Sequence, residues 1–391
     1  MKLLSFGHIP ISVGGRQSSG LANVIYQLAY NGANVDGIDM TLAATDVFQP
    51  DFKRENLTIL GWTKGILAKH AITHPLKTIS IITNTLANKR KYSPLVSVPS
   101  LLMKSIFLDY AICKIRPDVI HLHGAHSVCY YNLIPCDCKL VVTLHGNVGC
   151  DKNLPNVQTQ AVLEADLCAS ERIDALCTIS STIPLLLKNQ YGDIKAPIYV
   201  ILNAYDNKVF KYIEPIAHTK LTLCTIASFS KLKGQERIIE ALLRSQLGYK
   251  YVCIGHISET DKLYLERKAK TIDFEWLGVK NPSEIREILA GCDYMILPSS
   301  TEGFGLVYLE AIACGVPVII PKHLPLALEG NILNDRNSIR LEDSSTDAIS
   351  AILPSLSTRT WSRKDVAESM VSYTWGNIAK QYFELYKSLI G

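Results

Sequence analysis

No run in the 391-residue chain approaches the ~18 uninterrupted apolar residues that a membrane-spanning helix needs. The nearest approach, SVPSLLMKSIFLDYAICKI, is broken by Pro99, Lys104 and Asp109, so any membrane association is expected to be peripheral. An excess of one charge is also missing: 40 Lys and Arg against 36 Asp and Glu leave a formal +4. With no arginine-rich tail and no aromatic-basic repeat, nucleic acid is not expected as a partner. Internal repeats and low-complexity tracts are absent. No G-x-G-x-x-G follows the first strand of either half, which argues against a nicotinamide-dependent oxidoreductase. The eleven cysteines show no metal-ligand pattern: Cys136 and Cys138 form the only close pair, without a second Cys or His pair at zinc-ligand spacing. No metal site is therefore expected. Most cysteines lie in apolar runs such as ALCTIS, YVCIG and AIACGVP, where a small buried thiol serves, and a cytosolic compartment is expected. The opening MKLLSFGHIPISVGG carries one basic residue and a short apolar segment interrupted by His8 and Pro10, so it reads as a first strand, not a signal peptide.

What is present is apolar residue in quantity: 48% of the chain is hydrophobic and 19% charged, enough to bury more than one core, and the length predicts two domains. Short apolar runs alternate with helical stretches. KLLSFGHIP precedes a glycine loop and the helix-like LANVIYQLAYNG; DVIHLHG, LVVTLHG, ALCTIS and IYVIL are buried-strand candidates. The same grammar restarts near residue 221 with LTLCTIAS, the helix-like GQERIIEALLRS, then YKYVCIG, DFEWLG, YMILPS and PVII. This is the βαβ pattern of parallel sheets, and predicts an α/β chain with two Rossmann-like, doubly wound domains facing a cleft, where ligands bind beyond the carboxyl ends of the strands. Boundaries are expected at residues 1–204 and 205–372. The final segment, 373–391, spaces Ile378, Tyr382, Leu385 and Leu389 at helical intervals and is expected to return to the N-terminal domain.

The stretch LPSSTEGFGLVYLEA passes from an apolar strand through small polar residues into a helix beginning near Gly303 to Gly305. Backbone N–H groups of Phe304, Gly305 and Leu306 at that start suit a phosphate. Glu302 and Glu310 would repel one, unless they accept hydrogen bonds from the hydroxyls of a sugar or ribose. For an isolated pair of acids at this spacing, a helix cap and a surface salt bridge would be the simpler explanation.

The context favours the first reading. PSSTEGFGLVYLEAIACGVPVI closely resembles the signature of the retaining family-4 glycosyltransferases, group 1 enzymes of the GT-B fold. Weaker echoes follow in family order: Gly14-Gly15, DVIHLHG, VVTLHG, ILNAYDNKVF, SKLKGQERIIEAL, FEWLGV and YTWGNIAKQYFELY. The resemblance implies that Glu302 contacts the sugar beside the reacting centre, that Glu310 binds the ribose hydroxyls, and that the amides between them hold the diphosphate. It makes Lys233 the diphosphate-binding lysine, whose ammonium favours the charged leaving group. It gives Gly14 and Gly15 a backbone approach to donor phosphate or sugar, and His145 a hydrogen bond at the reaction centre. His121 and His123 are expected to orient loops or line the acceptor side. One position departs: Ser228 stands where the family has a phosphate-binding arginine, and Lys231 or Arg16 is the candidate replacement. The family's front-face mechanism, in which a donor phosphate oxygen takes the acceptor's proton, needs no metal; the absence of Asp-x-Asp agrees. No cofactor is expected beyond the nucleotide-sugar substrate, a UDP-sugar before GDP-mannose.

Residues 61 to 116 hold Lys64, Lys69, Lys77, Lys89, Arg90, Lys91, Lys104, Lys114 and Arg116 against the single acid Asp109. Interspersed are Trp62, Leu67, Ile79, Ile81, Ile82, Leu101, Leu102 and Phe107. This composition suits an anionic membrane surface and a lipid-linked acceptor; taken with the resemblance, which makes the N-terminal domain the acceptor side, it implies a lipid-linked oligosaccharide acceptor, as in O-antigen or capsule synthesis at the inner face of a plasma membrane. Solvated helix faces over buried stripes would give the same composition. Two other readings are open: a GT-B-fold nucleotide-sugar 2-epimerase, and a non-catalytic sugar-binding partner of an active transferase.

Overall fold

The computed structural model describes residues 1–16, 19–88, 97–135, 137–146, 157–330 and 332–391. The chain divides into two compact units, Met1–Asn203 with Trp375–Gly391, and Ala204–Thr374.

In the first unit the strands are β1 (Lys2–Gly7), β2 (Asp39–Ala44), β3 (Phe52–Arg54), β4 (Leu57–Leu60), β5 (Val119–His123), β6 (Lys139–Leu144), β7 (Ala175–Thr178) and β8 (Ile198–Val200). They form one sheet ordered β3-β4-β2-β1-β5-β6-β7-β8, parallel except for the β3–β4 pair. Helices α1 (Gly20–Gly32), α2 (Lys64–Thr73), α3 (Pro75–Ala87), α4 (Val98–Ile115), α5 (Val157–Ala169) and α6 (Thr182–Tyr191) connect the strands. The central strands are buried along most of their length, as a parallel sheet covered on both faces requires.

The second unit has β9 (Thr222–Ile226), α7 (Gln235–Ser245), β10 (Lys250–Ile254), α8 (Glu259–Lys268), β11 (Asp273–Trp276), α9 (Pro282–Ala290), β12 (Tyr294–Ile296), α10 (Leu306–Ala313), β13 (Val318–Pro321), α11 (Pro325–Leu328), β14 (Ser338–Leu341), α12 (Thr346–Leu356) and α13 (Arg363–Glu368). Its sheet is wholly parallel and ordered β11-β10-β9-β12-β13-β14. Numbered from its first strand this is 3-2-1-4-5-6, the doubly wound order whose switch point lies between β9 and β12. The final helix, α14 (Trp375–Ile390), belongs to the first unit and packs on α1. Its Tyr382 and Tyr386 hydroxyls bond Thr143 Oγ1 at 3.0 Å and His121 Nδ1 at 2.8 Å.

The basic segment needs correction. Trp62, Leu67, Ile81, Leu101 and Phe107 are core residues, because α2, α3 and α4 turn those positions toward one another and the sheet. The exposed apolar side chains there are Ile72, Leu76, Ile79 and Leu86, alongside exposed Lys64, Lys69 and Lys77. Lys89, Arg90 and Lys91 lie outside the described residues, as does Cys136. Among the described residues no helix is long and apolar enough to cross a membrane.

Candidate active site

The loop after β9 carries Ser228, Lys231 and Lys233, and the loop after β12 carries Glu302, Phe304 and Gly305, so both leave the sheet at its switch point. A backbone bond joins them: Ser300 N–H donates to Leu232 O at 2.8 Å. Arg237, from the first turn of α7, ties them further, donating to Lys231 O at 2.9 Å, Leu232 O at 3.4 Å and Pro298 O at 2.7 Å. Gly234 allows this. Its φ is +81°, and a Cβ there would stand 2.6 Å from Arg237 Nη2 and 2.9 Å from Pro298 O.

Lys233 Nζ meets Glu302 Oε1 at 2.5 Å, and Ser299 Oγ donates to the same oxygen at 2.8 Å. Glu302 Cγ lies 4.0 Å from where a Cβ on Gly305 would sit, so cation, carboxylate and helix start converge. Gly305, at φ +88°, is the N-cap of α10 and supplies no side-chain cap. Among the described residues the N–H groups of Phe304, Gly305 and Leu306 donate to no protein acceptor. The Phe304 side chain is buried, which fixes the loop beneath those amides. One ammonium and a row of free N–H donors in this place suit an anion.

Glu310 stands one turn further along α10. Its carboxylate makes no hydrogen bond or ion pair among the described residues. Burial, and secondarily Asp206, pushes its pKa up to about 7. A raised carboxylate without donors is poised to accept hydroxyl hydrogen bonds, which would favour its ionised form. Ser228 is exposed; its backbone carbonyl accepts from Gln235 Nε2 at 3.2 Å. Lys231 is exposed on the same loop.

In the first unit, Gly14 ends a 3₁₀ turn at φ +104°. Gly15 has a packing reason for its identity: a Cβ would come 1.9 Å from Ile9 O. Arg16 is exposed; its N–H donates to Asp46 Oδ2 at 2.8 Å and its guanidinium lies 4.3 Å from the Phe48 ring centre. The histidines form a chain at the carboxyl edge of β5 and β6. Ser5 Oγ bonds His123 Nε2 at 3.1 Å, and His123 Nδ1 bonds His145 Nε2 at 3.1 Å. His145 Nδ1 is buried with no partner among the described residues. Burial, then His126, pushes the His145 pKa down to about 3, so the imidazole is neutral. His121 is a structural residue, bonded to Thr143 Oγ1 at 2.7 Å and to Tyr386. His126 and Lys104 lie near His8, and burial lowers the pKa of each, although no local spacing joins positions 8, 104 and 126. Asp206 and Arg237 lie within ILNAYDNKVF and SKLKGQERIIEAL, but the Glu310 and Pro298 that they meet are distant in sequence.

Residues 206–358 match the family model Glycosyl transferases group 1. That span is most of the second unit. Over that span the second unit resembles the group 1 glycosyltransferases. Over 221 residues the chain is 28% identical to the N-acetyl-alpha-D-glucosaminyl L-malate synthase of Bacillus anthracis, covering 52% of this chain and 56% of that one. Over 154 residues it is 29% identical to the O-antigen chain mannosyltransferase B of Escherichia coli, covering 38% and 39%. The chain thus spans about half or less of the length of these curated relatives. The sucrose-phosphate synthase of Thermosynechococcus elongatus superposes with a TM-score of 0.72 at 16% identity, covering 100% of this chain and 99% of that one. At that identity the likeness establishes the fold, which is GT-B.

Proposed function

We propose that the protein is a retaining glycosyltransferase that moves a hexose or N-acetylhexosamine from a nucleotide-diphosphate sugar to a hydroxyl of a lipid-linked glycan. The observation that carries this reading is the convergence of Lys233, Glu302 and the unpaired N–H groups at the start of α10, with Glu310 one turn on. In the free protein Lys233 and Glu302 neutralise each other. A bound diphosphate takes the ammonium and the amides, which releases Glu302 to the sugar hydroxyls, while Glu310 takes the ribose hydroxyls. As the glycosidic bond breaks, charge grows on the departing phosphate oxygen, and fixed donors stabilise that state more than the ground state. The same oxygen accepts the acceptor's proton, so the acceptor attacks from the face the diphosphate leaves and configuration is kept. No metal is required by this scheme.

A UDP-sugar is the favoured donor. The names of the two curated relatives, one N-acetylglucosaminyl and one mannosyl, support a hexose class. The lipid-linked acceptor and a role in surface polysaccharide synthesis rest on the basic, apolar-studded face of α2 and α3, which suits the inner face of an anionic membrane. The test is a thermal-shift panel of UDP, GDP and their sugars, followed by nucleotide release with polyprenyl-diphosphate-linked acceptor. A ligand at 100 times its dissociation constant stabilises by about 2.7 kcal/mol. Stabilisation by a UDP-sugar with acceptor-dependent UDP release supports the proposal. No shift with any nucleotide rejects the donor site; an epimer formed from donor alone rejects transfer.

A further inference from the structure

We propose that α2 and α4 hold a transition-metal ion of the zinc class, bound by His70, Asp109 and Cys113. One ligand atom from each of these residues lies within 4.8 Å of the others, and among the described residues no other such group occurs. Asp109 and Cys113 are four residues apart on α4, hence on one helix face, and His70 comes from the last turn of α2. Imidazole, carboxylate and thiolate together are a zinc donor set. His74, four residues beyond His70 and stacked on it with ring centres 4.3 Å apart, is the nearest candidate for a fourth position.

The Asp109 carboxylate supplies the independent observation. It is 1% exposed; Oδ2 pairs with His70 Nε2 at 2.8 Å, while Oδ1 is buried without a hydrogen bond. The nearest cation is Lys77 Nζ, 3.4 Å from Oδ1, outside hydrogen-bond geometry and on a half-exposed side chain that can turn to solvent. A buried carboxylate oxygen with no hydrogen bond and only a half-exposed ammonium beside it is costly, and a divalent cation satisfies it. Access exists through a cavity of about 460 Å³, lined in part by Ile66, His70, His74, Tyr110 and Cys113. Binding replaces the His70–Asp109 hydrogen bond, with His70 coordinating as the neutral imidazole and keeping its proton on the other ring nitrogen, releases the thiol proton of Cys113, and pins α2 to α4. The site is separate from the donor-binding loops, so this inference stands or falls independently of the transfer reaction.

The full chain is titrated with cobalt(II) and followed by absorption. Expected are saturable binding competed by zinc, a sulfur-to-cobalt charge-transfer band in the near ultraviolet, and loss of that band in Cys113→Ser, whose exposed position leaves folding intact. Lys77→Ala is expected to bind cobalt at least several-fold more tightly, because a competing ammonium is gone. Absence of the band in the wild type, an unchanged band in Cys113→Ser, or equal or weaker binding in Lys77→Ala would overturn the proposal.

Discussion

Lys233 and Glu310 carry opposite kinds of information. Lys233 is held by Glu302 at 2.5 Å in the free protein, so its removal leaves a carboxylate uncompensated and the leaving group without its cation. Lys233→Ala is expected to lower kcat by about 10²–10³-fold, the range for loss of one fixed donor to developing charge, in a steady-state nucleotide-release assay. Glu310 reports through pH. Its pKa is raised from 4.5 to about 7, so between those values the unfolded chain sheds a proton that the folded chain keeps. Its contribution to stability therefore falls as pH rises across that window, and Glu310→Gln should flatten the fall in melting temperature over it. Donor hydroxyls favour the ionised form, so donor affinity should rise as pH rises through about 7 in the wild type and lose that dependence in Glu310→Gln, as measured by calorimetry. The sequence brought both acids to notice, yet could not reveal that Glu310 lacks a partner, since Asp206 lies a hundred positions away.

At the scale of elements, catalysis in the proposed scheme depends on two loops tied together by a side chain from the first turn of α7. Arg237 and the positive φ of Gly234 set their spacing. Gly234→Ala is expected to cost roughly 1–3 kcal/mol of stability by denaturant melts and to weaken donor binding at the same time, because the new Cβ displaces Arg237 or Pro298. Strands with β-branched apolar runs, such as β6, β12 and β13, were legible in sequence. Strands β2, β3, β4 and β14 were not singled out: DMTLAA and SIRL are short and mixed in character, and their strand state follows from pairing with β1 and β13. The helical stripe of α2 to α4 was legible as apolar. Which side faced inward was not, because these helices pack on one another as well as on the sheet, and the same packing brings His70 beside Asp109 where no local spacing shows it.

The whole chain is organised by its last helix, which leaves the second unit's sequence and completes the first. Trp375, Ile378, Tyr382, Leu385 and Tyr386 are buried in that unit. At roughly 1.5–3 kcal/mol for each large buried side chain, their loss rivals the entire ~5–15 kcal/mol stability of a domain. Deletion of residues 375–391 should leave the first unit protease-sensitive, with the second unit's fragment surviving limited digestion. A second expectation concerns the exposed Ile72, Leu76 and Ile79 beside Lys64, Lys69 and Lys77. Sedimentation with anionic vesicles at low salt should carry the protein down, and Lys64→Glu with Lys69→Glu should abolish it, since each basic residue near the surface contributes about 1 kcal/mol. Pelleting that persists in that double variant would remove the membrane surface from the proposed function.

Sequence alone determined the repeated βαβ grammar, the glycine-bounded start of α10 and the N–H groups at that helix end, because periodicity, glycine conformation and helix termini are local properties. Tertiary structure decided what those residues meet. Lys233 finds Glu302 across two loops, Gly15 is required by the Ile9 carbonyl, and His145 ends a hydrogen-bonded chain that begins at Ser5. Each of these depends on strand order, which a one-dimensional pattern does not encode: burial, charge pairing and pKa are set by neighbours in space.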